Sequence, residues 1–175
     1  MFSNPEQNVN KLGIREGMKV ADFGAGTGSY IRAISKKVGN TGKVYAVEIQ
    51  KDLVKRLEKE IYDWGLSNAK CIWGDIESNG GTNIGDHLVD VIIISNVLFQ
   101  VPDKIGLIDE SKRILKKDGK ILLIDWVDSF GGMGPSLNHV VKEDEAVKLF
   151  QSRGFKLLEK LTVSDHHYGI IFIHE

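Results

Sequence analysis

Val20-Ala21-Asp22-Phe23-Gly24-Ala25-Gly26-Thr27-Gly28-Ser29-Tyr30 is a short apolar run that passes through three alternating glycines into a helical pattern. Glycines at such a turn allow a tight reversal and let a ligand lie against bare backbone. The helix start that follows contributes amide donors with no partner inside the helix. A polar ligand is therefore expected on Gly24, Ala25, Gly26, Thr27 and Gly28, between Asp22 at the strand end and Tyr30 at the helix start.

The dinucleotide-binding fingerprint G-x-G-x-x-G occupies the same place in its own fold. Here the spacing is G-x-G-x-G, and Ser29 stands where that fingerprint wants glycine or alanine. The loop alone leaves the ligand open, so the rest of the chain has to decide it.

Around the loop, β-branched runs alternate with amphipathic stretches, the pattern of a parallel sheet covered by helices. Strands are predicted over Lys19 to Phe23, Lys43 to Val47, Ala69 to Trp73, Val89 to Ser95 and Gly119 to Val127. Tyr30, Ile34 and Val38 mark one helical face; Leu53, Leu57, Ile61 and Trp64 mark another, and both are read as core. Trp73 is likewise assigned to a core face. Pro102 and Asp103 open a helix that runs through Leu115, and Asp118-Gly119 supplies the turn before the fifth strand. A Gly-rich loop (Gly131, Gly132, Gly134, Pro135) and a helix from Glu143 to Arg153 follow. Phe155 to Val163 and Tyr168 to His174 then lie a hairpin's length apart, so an antiparallel pair closes the sheet. The reading is an α/β, doubly wound single domain over 1–175, with an N-terminal helical segment (1–18) and a terminal hairpin (155–175).

Polar side chains fall at successive strand ends, where open α/β sheets bind ligands. Glu48, followed by Ile49, ends the second strand, and its two oxygens match the vicinal hydroxyls of a ribose. Asp75-Ile76 ends the third, where a carboxylate accepts from an exocyclic adenine amine. Ser95-Asn96-Val97 closes the fourth.

As a set these residues resemble the class I S-adenosylmethionine-dependent methyltransferases, from about residue 15 to the end. Asp22 with Gly24, Gly26 and Gly28 looks like the family's first motif, Glu48 like its ribose-binding acid and Asp75-Ile76 like its adenine-binding motif. Asn96-Val97 resembles the segment facing the methionine end, and Leu115 to Lys120 the turn before strand five. The resemblance implies S-adenosylmethionine as cofactor and a seven-stranded sheet of order 3-2-1-4-5-7-6 with strand seven antiparallel. A nicotinamide enzyme of the usual kind would instead continue with parallel strands and a second domain. The chain departs from the Asn-Pro-Pro-aromatic motif of amide and amino nitrogen methylation, since it reads Ser95-Asn96-Val97-Leu98 there.

Methyl transfer needs alignment more than covalent help, so the expected catalytic residues are few. Asn96 and Asp125 are the candidates, Asp125 either orienting an acceptor or capping backbone donors. Phe99, Trp126, His139, His167 and Tyr168 are candidate acceptor contacts; His166-His167-Tyr168 either faces the cleft or forms a polar turn. Phe2 and the Asn4-Pro5 helix start either cover the cleft or pack on the domain. No metal is expected, because no histidine pair has helical ligand spacing and no cysteine cluster accompanies them.

Composition bounds the partners. Lys plus Arg number 23 against 24 Asp plus Glu, which leaves no net field to gather nucleic acid. The basic group Lys112, Arg113, Lys116, Lys117 and Lys120 is read as a solvated helix end. Cys71 is the sole cysteine and is read as a buried strand thiol. Apolar runs are too short to span a bilayer and no signal-peptide core is present, so a cytoplasmic location is expected. The expected function is methyl transfer to a small-molecule acceptor; a protein or RNA acceptor, or a regulatory module that binds the nucleotide without transferring anything, is the alternative.

Overall fold

The structure is a computed structural model that describes residues 4–129 and 134–175. Its strands are β1 (Lys19–Phe23), β2 (Lys43–Glu48), β3 (Ala69–Trp73), β4 (Val89–Ser95), β5 (Leu115–Trp126), β6 (Phe155–Ser164) and β7 (His167–His174). They form one sheet of order β3-β2-β1-β4-β5-β7-β6. The pairs from β3 across to β5 are parallel, whereas β7 runs antiparallel to both β5 and β6. The expected topology is thus the observed one.

The helices are α1 (Pro5–Lys11), α2 (Ile31–Val38), α3 (Lys51–Asp63), α4 (Lys104–Ile114) and α5 (Glu143–Ser152). Apolar side chains of α1, α2 and α3 join one cluster on one face of the sheet (Val9, Ile31, Ile34, Leu57, Ile61), and those of α4 and α5 join a second on the other (Leu107, Ile108, Phe150). With both faces covered, β4 is apolar throughout its middle: Val91 to Ile94 are all buried. Among the described residues no helix is long and apolar enough to cross a membrane.

Three expectations need correction. The fourth helix starts at Lys104, because Asp103 is its N-cap and accepts the Gly106 amide at 2.8 Å. It stops at Ile114, and the chain enters β5 at Leu115 rather than Gly119. Leu115 pairs with Val89 and Lys120 with Val91, so the surplus residues bulge out, and Asp118 takes a φ of 61° within the strand instead of ending a helix. Trp73 is 55% exposed rather than core, since β3 is an edge strand and the ring leans outward under Lys51, whose Nζ lies 4.6 Å from its centroid. Cys71, one pleat away, is buried.

Residue-level packing fits the N-terminal segment too. Asn4 caps α1 by accepting the Gln7 amide at 3.2 Å, Val9 and Leu12 are buried, and Asn8 Nδ2 donates to Tyr30 Oη at 3.1 Å. Phe2 and the Gly131-Gly132 loop lie outside the described residues.

Candidate cofactor and acceptor site

The C-terminal ends of the parallel strands β1 to β4 converge at the Gly24 to Gly28 loop. Gly24 has a φ of 65°, and a Cβ there would stand 2.6 Å from Val97 Cγ2. Gly28 has a φ of 81°, and a Cβ there would stand 2.5 Å from Leu57 Cδ1. These two glycines let the loop pack on the β4 end and on α3. At Gly26 the nearest atom to an added Cβ is 3.8 Å away, which leaves open backbone on the ligand side.

Two cavities meet at Gly24. The first, of 290 Å³, is lined by Gly24, Gly26, Glu48, Ile49, Gln50, Leu53, Asp75, Ile76, Val97 and Val101 among others. The second, of 310 Å³, is lined by Pro5, Asp22, Gly24, Ala25, Ser29, Tyr30, Ser95, Asn96, Trp126 and His167. A wider depression of 720 Å³ lies between α1, α2 and the turn after α3, away from the strand tips. Position relative to the parallel strand ends, not size, marks the functional cleft.

Glu48 is 5% exposed, so it is no solvated strand end. Its Oε2 accepts the Gly26 amide at 3.0 Å and its Oε1 the Gln50 amide at 2.9 Å. Asp75 spends both oxygens on the turn that follows it, accepting from the Glu77 amide at 2.9 Å and from Ser78 Oγ at 2.7 Å. Its carboxylate thus braces the wall of the first cavity. Asp22 is buried behind the loop, and its pKa is pushed up to about 8 by burial first and by the Glu48 charge second.

Asn96 has a φ of 58°, unusual for a residue with a side chain. Its amide donates to Ile124 O at 2.8 Å, whereas its Oδ1 is buried without a partner among the described residues. His167 Nε2 is in the same condition in the same cavity.

The remaining candidates separate. Asp125 is buried and does not line the cavity: Oδ1 accepts the Trp126 amide at 2.8 Å and Oδ2 the Phe99 amide at 3.2 Å. That is the capping alternative, and it corrects Asp125 as a catalytic candidate. Tyr168 pairs with Asp125 across β7 and β5 and so shares its face of the sheet, opposite to Trp126 and His167. Phe99 and His139 line a neighbouring depression with Lys104. Leu53, read from its stripe as core, instead lines the first cavity; its place one turn into the helix that follows Glu48 was the available signal. Pro5, at the helix start read as either covering the cleft or packing on the domain, lines the second cavity; Val101 carried no such signal in sequence.

A family model described as a methyltransferase domain matches residues 14–170. The chain belongs to that family. It is a class I S-adenosylmethionine-dependent methyltransferase by family and by fold. A solved S-adenosylmethionine-dependent methyltransferase from Aquifex aeolicus superposes with a TM-score of 0.91 at 26% identity, covering 99% of this chain and 91% of that one. A demethylmenaquinone methyltransferase of Geobacillus sp. is 26% identical over 120 residues, 69% of this chain and 50% of the relative. A ubiquinone/menaquinone biosynthesis C-methyltransferase of Idiomarina loihiensis is 31% identical over 119 residues, 67% of this chain and 46% of the relative. The chain spans about half the length of the curated relatives it matches.

The methyltransferase's own residues fit S-adenosylmethionine. The buried acids Asp22 and Glu48 suit a ligand that carries a sulfonium and an ammonium, and no Lys or Arg lines either cavity among the described residues. Asn96 Oδ1, buried without a partner among the described residues, would suit a donor such as that ammonium. Glu48 offers oxygens to a diol, and Ile49, Leu53, Ile76 and Val101 offer apolar walls to a purine.

Proposed function

We propose that the protein transfers the methyl group of S-adenosylmethionine to a small-molecule acceptor. When bound, the sulfonium supplies an activated methyl carbon that needs no metal or covalent intermediate on the protein. Glu48 and the Gly24 to Gly28 loop hold the nucleoside, while Asp22 and Asn96 hold the cationic end. Alignment of the acceptor is then the chain's main task, since a fixed near-attack geometry removes much of the barrier.

The observation that carries this reading is the second cavity, which continues from Gly24 past Asn96 to Trp126 and His167 and is the size of a small molecule. A macromolecular acceptor is less well supported. Within the basic group, Arg113 pairs with Glu110 and Asp86 and Lys116 pairs with Asp90, which lowers the positive charge this face offers to RNA. The names of the two relatives put demethylmenaquinone among the acceptors to try.

Methyl-labelled S-adenosylmethionine added with the protein to fractionated cell extract tests the proposal. Label is expected in the small-molecule fraction. Label in protein or RNA, or in no fraction while the cofactor binds, overturns it.

A further inference from the structure

We propose that His167 is the acceptor-side residue of this site: its Nε2 receives the hydroxyl hydrogen of an uncharged, hydroxyl-bearing acceptor lying against Trp126 in the second cavity. The inference deepens the proposed function and rests on it.

Strand pairing builds the subsite. Trp126 on β5 is opposite His167 on β7, so both rings leave the same face, with centroids 4.2 Å apart. Trp126 is seated against Gly134, where an added Cβ would meet its ring at 2.8 Å. His167 Nδ1 is 2.9 Å from Ser164 Oγ across the hairpin. In the tautomer that donates Nδ1–H to Ser164, Nε2 keeps its lone pair. That nitrogen is buried and meets no partner among the described residues. A histidine kept only for packing is expected to have its buried nitrogens satisfied, because an unmet buried polar atom costs about 1–3 kcal/mol. A ligand hydroxyl removes the deficit.

Charge then selects the acceptor class. No Lys or Arg lines the cavity among the described residues, and Asp22 does line it. A phosphate or carboxylate acceptor would find no Lys or Arg on the described walls to pair with and would lie in one cavity with Asp22, which is costly in a buried site. A cationic acceptor would face the sulfonium. A neutral molecule with an apolar body for Trp126 and a hydroxyl for Nε2 meets neither penalty. Burial holds the His167 imidazole below its usual pKa, so the ring is neutral and ready to accept at pH 7.

The proton account closes. As the acceptor oxygen gains the methyl carbon, its O–H bond breaks toward Nε2, and the electron pair of the broken carbon–sulfur bond stays on the neutral thioether product. The positive charge that entered on sulfur ends on the imidazolium and leaves as a proton to water.

The test uses 1-naphthol, 1-naphthoate and 1-naphthyl phosphate as probes of one ring and three charges. Calorimetric titration into protein saturated with S-adenosylhomocysteine reads binding, and product mass reads transfer. Only 1-naphthol is expected to bind and gain a methyl group. His167→Ala is expected to lower kcat/KM by about 100-fold or more, the usual contribution of a positioned base, and to change the S-adenosylhomocysteine Kd less than twofold. His167→Gln keeps an acceptor atom near the Nε2 position, so KM returns toward the wild-type value while kcat stays low; it also serves should the alanine variant misfold. Preference for either anion, no 1-naphthol binding to the saturated protein, or a His167→Ala kcat/KM within threefold of wild type overturns the inference. Failure of the underlying methyltransferase reading looks different: the wild-type protein would not bind S-adenosylhomocysteine at all.

Discussion

Glu48 Oε2 accepts the backbone amide of Gly26 at 3.0 Å, so the acid at the tip of β2 braces the glycine loop that leaves β1. The same carboxylate receives Gln50 N at the start of α3. One side chain therefore sets the shape of the loop and presents the oxygens that suit a ribose. Glu48→Ala should lose charge-assisted hydrogen bonds worth about 1.5 to 3 kcal/mol, weakening S-adenosylmethionine by about 10- to 150-fold in calorimetric titration. Glu48→Gln retains one acceptor oxygen and should fall between the two. Wild-type affinity in the alanine variant would remove Glu48 from the cofactor site.

Gly24 and Val97 supply a second test, because the loop and the β4 end are in contact where a side chain has no room. Gly24→Ala places a methyl group 2.6 Å from Val97 Cγ2 at a φ of 65°, so both the contact and the backbone conformation oppose it. The variant should lose measurable cofactor binding and about 1–3 kcal/mol of stability by urea unfolding. Adding Val97→Ala removes the clash but not the backbone strain, and should restore stability only in part. Full stability in Gly24→Ala alone would show that the loop is set differently.

These residues also show how far sequence reaches. The glycine spacing and the place of Glu48 at the end of the second strand were legible because each follows from a local pattern on a repeating βα unit, whereas the strand order came from the family resemblance. Asp125 and Tyr168 were not, because in a strand the side-chain direction alternates at every residue. Trp126 and His167 reach the cavity while their neighbours Asp125 and Tyr168 turn to the opposite face. The bulge near Asp118 makes counting parity along β5 unreliable from sequence. Trp73 was assigned to a core face, but β3 sits at the sheet edge, and the ring there is 55% exposed.

Asp125 yields a prediction opposite to that for a catalytic acid. Burial pushes its pKa up to about 6, against the pull of the Trp126, Phe99 and Leu98 amides. Its work is to hold the short 3-10 turn after β4, Leu98–Gln100, onto the end of β5. Asp125→Asn turns one accepting oxygen into a donor facing an amide, and should cost about 1–3 kcal/mol in urea unfolding. Cofactor affinity should stay within about threefold, since the carboxylate lies off the cavity. Wild-type stability with a large loss of turnover would instead make Asp125 catalytic.

Asp22 makes the pH dependence of both stability and binding testable. Its carboxyl has a pKa near 8 in the folded chain against 3.8 as the ordinary value, raised chiefly by burial and secondly by Glu48. The folded state therefore holds a proton that the unfolded chain gives up, and the stability associated with it is complete below pH 3.8 and declines as pH rises to about 8. Asp22→Asn cannot ionise, so the cofactor-free variant should melt progressively higher than wild type between pH 5 and 8. A gain of about 2–4 °C for each kcal/mol is expected in a domain of this size. Binding reverses the preference: a sulfonium and an ammonium beside Asp22 favour its ionised form, so S-adenosylmethionine should expel a proton at pH 7. Titrations in phosphate and in Tris, whose ionisation enthalpies differ, should then give different apparent binding enthalpies, and Asp22→Asn should both weaken binding and abolish that difference. Equal enthalpies for the wild-type protein in the two buffers would show that Asp22 loses no proton on cofactor binding.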